Sequence, residues 1–110
     1  ADKLFITGVA TDIATVQGTW AKVTLGGAAT FADYLDEAAK ANSGATDSII
    51  QWFVHDGNTY VVSDNSNTTT FVAGTDDVIC LSGVLDLTAS AITGADGSAN
   101  ITLTLDVDGA

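Results

Sequence analysis

The chain has 110 residues and a formal net charge of −11, from thirteen aspartates and the single glutamate Glu37 against three lysines and no arginine. Nothing is at hand to neutralise phosphates, so the balance excludes nucleic-acid binding and equally disfavours docking on an anionic membrane. The lone cysteine, Cys80, excludes an internal disulfide, and no apolar run approaches the roughly 18 residues of a membrane span.

The length fits one domain spanning 1–110, and 46% apolar residues suit a globular fold with a modest core. The acids are almost all aspartate, a poor helix former but a good turn residue and calcium ligand. The chain opens on Ala1, shows no signal peptide and runs almost at once into Leu4-Phe5-Ile6. That start suggests a module cut from a larger exported protein.

Leu4 to Val9 reads as a strand ending near Gly8, and Thr11 to Gly18 is ambiguous. Thr19 to Leu25 alternates, with Ala21, Val23 and Leu25 on one face, until Gly26-Gly27 breaks it. Residues 30–41, TFADYLDEAAKA, predict a helix. Phe31, Tyr34, Leu35 and Ala38 fall on one helical face, Thr30 and Asp33 are spaced as a capping box, and Asp36 and Lys40 as an i,i+4 pair.

Ile49–His55 and Asn58–Ser63 flank Asp56-Gly57, the preferred pair for a type I′ turn. That turn sets His55 opposite Asn58, Phe53 opposite Tyr60 and Trp52 opposite Val61. Both faces of this hairpin are apolar, so each needs a cover: the helix on one side and a second sheet on the other. Residues 64–70 form a polar loop, Val78–Leu81 and Val84–Leu87 read as short strands, and 93–100 as a loop. Ile101 to Val107 alternates, with Ile101, Leu103, Leu105 and Val107 inward. The sum is a mainly β fold with one α-helix, a β-sandwich or β-roll-cap-like module of about seven short strands. Its expected core is Phe31, Leu35, Ile50, Trp52, Phe53, Tyr60, Val62, Phe71, Leu81 and Leu103.

Catalytic chemistry finds little support. The only histidine, His55, sits at a hairpin tip beside Asp56, with Ser63 far down the opposite strand, which is no Ser-His-Asp arrangement. One cysteine and one histidine cannot fill a zinc site, and Cys80, inside Val78-Ile79-Cys80-Leu81, reads as a buried structural thiol. Paired carboxylates can hydrolyse glycosides, but no arginine is present to help shape a sugar cleft. Calcium is the better candidate, because loop Asp and Asn oxygens suit a hard cation. The candidate ligands are Asp64, Asn65 and Asn67, then Asp76 and Asp77, then Asp106 and Asp108. None follows the EF-hand or the glycine-rich nonapeptide pattern, and each set reads equally well as ordinary turn aspartates. Trp20, Trp52, Tyr34 and Tyr60 offer a sugar-binding platform if exposed, although their spacing favours a core role.

Three segments, TFADYLDEAAKA (30–41), WFVHDGNTYVVSDN (52–65) and TFVAGTDDVICLSGVLDL (70–87), resemble in order the C-terminal region of bacterial proteins exported by type I secretion. These are RTX-type proteins and S-layer proteins of the Caulobacter kind. Gly57-Asn58-Thr59-Tyr60, Asp64, Phe71, Gly74, Asp76, Ile79, Leu81 and Gly83 carry the resemblance. It implies a secreted, bacterial cell-surface protein, often calcium-dependent, that meets the type I secretion machinery through its parent chain. It also implies self-association or contact with other surface-layer subunits. The nonapeptide repeats are missing, and Cys80 stands where that family has a polar residue, which points the thiol outward. The expectation is therefore a non-catalytic structural or assembly module, steadied by calcium. The alternative is a carbohydrate-binding module that meets surface polysaccharide through exposed aromatics.

Overall fold

The computed structural model describes residues 3–10, 12–40, 48–65 and 70–106, with backbone alone at 7–10, 40 and 98–100. In chain order the elements are β1 (Lys3–Ala10), α1 (Ile13–Gln17), α2 (Phe31–Lys40), β2 (Ile49–His55), β3 (Asn58–Asp64), β4 (Asp77–Leu81), β5 (Ala91–Thr93) and β6 (Ser98–Thr104). They make two antiparallel three-stranded sheets, ordered β1-β6-β5 and β2-β3-β4.

The β2–β3 hairpin adopts the expected register, with His55 opposite Asn58 and Phe53 opposite Tyr60. Asp56 (φ 50°) and Gly57 (φ 82°) both take positive φ, as a type I′ turn requires. Alternation then sorts the side chains. Ile50, Trp52 and Val61 point toward the other sheet and pack with Ile6, Ile92, Ile101 and Leu103. Phe53 and Val62 point the opposite way, under Phe31, Tyr34, Leu35 and Ala38 of α2. The molecule is therefore a β-sandwich with a helix laid over one outer face. Among the expected core residues, Ile50, Trp52, Phe53, Val62 and Leu103 are buried, while Phe31, Leu35, Tyr60, Phe71 and Leu81 pack half-buried at the margins.

Helix α2 starts where its capping box places it. Thr30 Oγ1 accepts from the Asp33 amide at 3.2 Å, and the Asp33 carboxylate accepts from the Thr30 amide at 2.9 Å. Asp36 accepts from the Phe71 amide at 3.0 Å, tying the loop before β4 to the helix. The ambiguous stretch 11–18 contains the one-turn α1, capped by Asp12 and buried through Val16.

Six strands are described rather than seven, and three readings change. Residues 19–25 form no full strand. Lys22 makes a single parallel bridge to Trp52, through Val23 N to Trp52 O (2.8 Å) and Trp52 N to Ala21 O (3.1 Å). Residues 84–87 are not a strand, because side chains take over the role of a ladder partner. Thr59 Oγ1 accepts from Leu85 N and donates to Gly83 O, both at 2.9 Å, while Asn58 Oδ1 accepts from Gly83 N at 3.1 Å. Ser98–Asn100 belongs to β6 rather than to a loop, and the chain enters β6 through Asp96 and Gly97 (φ 79°). Strand β5 was not expected. The inward set of β6 holds for Ile101, Leu103 and Leu105, and Val107 lies outside the described residues.

A candidate functional site at the acidic strand ends

The end of β3 and the start of β4 bring two of the three candidate ligand groups together. Asp64 closes β3 fully buried, Asn65 follows it, and a turn through Gly74 (φ 89°) delivers Asp76 and Asp77 beside them. Asp76 is 4% exposed. Its Oδ1 accepts from Asn65 N at 2.7 Å and its Oδ2 from Val72 N at 2.8 Å, while its own amide donates to Val72 O at 2.8 Å. The Asn65 side chain donates to Thr75 O at 3.2 Å and accepts from the Ser48 and Ser63 hydroxyls. Asp77 points outward and is exposed.

These contacts make a knot in which one carboxylate anchors two loop amides. Among the described residues, no three His, Cys, Asp or Glu side chains converge into a metal-holding group. Asp106 is not part of the knot. It follows β6, where its amide donates to Ser90 Oγ at 2.9 Å. Asp108 and Asn67 lie outside the described residues.

The use of aspartate at this knot recurs across the fold. At least six of the ten described aspartates accept a backbone N–H: Asp12 from Ala14, Asp33 from Thr30, Asp36 from Phe71, Asp76 from two amides, Asp86 from Thr88, and Asp96 from Ile13. The Thr88 bonds, aided by Lys22, hold the Asp86 carboxyl below its ordinary range despite some opposing burial.

His55 does not meet Ser63. Its ring lies 5.7 Å from Phe31 and 5.6 Å from Tyr34, under α2, while Ser63 is buried at the other end of the hairpin against Asn65. Cys80 is exposed, which corrects its reading as a buried thiol. It occupies the outer face of β4 opposite Tyr60, whose phenol it pushes above the ordinary range, chiefly by hydrogen bonding.

The aromatic candidates serve the interior. Trp52 is buried and stacks with Trp20 at 6.3 Å between centroids, and Trp20 Nε1 donates to Leu87 O. The Tyr34 ring stacks on Phe53 and its hydroxyl bonds the Leu25 backbone. Tyr60 stacks on Phe53 at 5.2 Å.

Two features escaped the sequence reading. Lys22 Nζ stands 5.3 Å from the Trp52 ring centroid at an open cleft of about 430 Å³ that also involves Val54, Val84, Leu85 and Asp86. No linear signal joins residues so far apart in the chain. The other is Phe5, which is 80% exposed although it lies in an apolar run. Strict alternation through Leu4-Phe5-Ile6 was the signal that would have turned it outward. Comparison with protein-family models and with curated proteins finds no match for this chain.

Proposed function

We propose that this chain is a non-catalytic structural module of a bacterial protein exported by type I secretion, serving assembly at the cell surface and steadied by calcium. The observation that carries the reading is where the aspartates go. At least six of them hold turns, caps and loops by accepting backbone amides, so the acid chemistry is spent on building the scaffold. Calcium acts mainly by screening the −11 charge, with the Asp64–Asn65 and Asp76–Asp77 strand ends as its preferred contact.

Strand β4 supports assembly with further copies or other surface-layer subunits. The free edge of β2 is engaged by the Lys22 segment, β5 is three residues long, and β1 carries a register shift between Thr7 and Ala10. β4 is regular over five residues with Val78 and Cys80 exposed, an edge without those protections. The test is thermal unfolding and solution mass in millimolar calcium against sodium of matched ionic strength. The melting temperature should rise with calcium, and the mass should exceed one chain. A flat melting temperature sinks the calcium part, and a monomer at every concentration sinks the assembly part.

A further inference from the structure

The two sheets differ on their outer faces. That of β2-β3-β4 lies under α2, whereas among the described residues no helix is laid over that of β1-β6-β5 in the same way. Register places Phe5, Thr102 and Thr93 side by side in one row across this face, and Lys3, Thr104 and Ala91 in the next. Phe5 is 80% exposed, Thr93, Ala91 and Lys3 are exposed, and Thr102 and Thr104 are half-buried. The other three phenylalanines, Phe31, Phe53 and Phe71, all pack into the cluster beneath α2. Phe5 alone spends its ring on solvent.

The face is also an electrostatic exception. In a chain of net charge −11, the six positions of these two rows hold one lysine and no carboxylate, and Asp106 follows only beyond Thr104 at the margin. A cationic partner finds no anion within the two rows, and an anionic polymer finds only Lys3. A purely apolar partner would strip water from three threonine hydroxyls without replacing their hydrogen bonds, which is costly. The surface suits an uncharged ligand with both carbon–hydrogen faces and hydroxyls. It is flat rather than concave, so one small molecule would bury too little of itself. A chain lying across both rows would not.

The geometry points to a platform for a neutral polysaccharide, with Phe5 stacked on the carbon–hydrogen face of one sugar ring and Thr93, Thr102 and Thr104 exchanging hydrogen bonds with sugar hydroxyls. This site is separate from the acidic strand ends and from β4, and needs neither calcium nor assembly.

The experiment is affinity electrophoresis in EDTA with three soluble neutral polysaccharides, dextran, xylan and glucomannan, and with alginate as the anionic control. At least one neutral polymer should retard the protein, with little dependence on salt. Phe5→Ala should weaken that retardation tenfold or more while leaving the unfolding midpoint in place, and Phe5→Trp should retain it. Retardation by none of the three neutral polymers overturns the inference. So does retardation by alginate alone, or equal retardation of wild type and Phe5→Ala. Because calcium is absent, these outcomes are independent of the assembly test above.

Discussion

Replacing Asp76 by alanine tests the claim that one carboxylate holds the β3–β4 connection. The change removes acceptors for two amides at once, Asn65 N at 2.7 Å and Val72 N at 2.8 Å. A hydrogen bond to a charged group contributes about 1.5–3 kcal/mol, and a buried donor left unpaired costs a similar amount. Asn65 and Val72 are only half-buried, so water recovers part of that loss, and the low end applies to each bond. The expected destabilisation is about 3 kcal/mol, against a total of roughly 5–15 kcal/mol for a domain of this size. That corresponds to a melting temperature lower by about 10–20 °C. Asp76→Asn should fall between, because its amide keeps one acceptor and turns a donor toward the second N–H. Urea unfolding followed by tryptophan fluorescence measures both variants, and an unchanged slope confirms that stability alone has moved. A loss under 1 kcal/mol for Asp76→Ala would refute the anchoring role.

Gly57→Ala forces a side chain into φ 82° and should cost about 1–2 kcal/mol by chemical denaturation without altering the hairpin register; no cost would mean the turn is not type I′. Cys80 should react stoichiometrically with a thiol reagent in the native protein, and reaction only after denaturation would contradict its exposed placement on β4. The Asp86 carboxyl should titrate below its ordinary value by carbon-13 NMR, and Thr88→Ala should move that titration upward. Because the folded value is depressed, the small associated stability is present above the ordinary carboxylate pKa and is lost as pH falls through the folded one. A titration unmoved by Thr88→Ala would contradict the assignment.

The hairpin and α2 were legible because their signals are local. Asp56-Gly57 specifies a turn, alternation on both faces of the flanking runs demands two covers, and Thr30 with Asp33 marks a helix start. The failures lie where partners come from far along the chain. Residues 84–87 look like a strand, yet the Leu85 amide finds the Thr59 side chain, and the preceding Gly83 amide the Asn58 side chain, instead of a neighbouring backbone. Strand β5 is three residues in a run of small side chains and exists because β6 pairs with it. At the acidic strand ends, composition shows only that Asp and Asn are plentiful in the loops. It could not tell that Asp76 would turn inward onto two amides, that Asp77 would face water, or that Asp106 would stand apart with Ser90. Those distinctions depend on the β3–β4 register, which no single segment carries.

That β1 lies against β6, with Lys3 opposite Thr104, has a consequence for how the molecule comes into being. Strand β1 must wait for β6. Closing a loop of that length costs about 4 kcal/mol in chain entropy before any pairing compensates, and such non-local topology slows folding. The β2–β3 hairpin can form early, but half the sandwich core stays open until β6 has emerged. A chain wired this way keeps the β1-β6-β5 sheet open during synthesis until both β1 and β6 are available to pair.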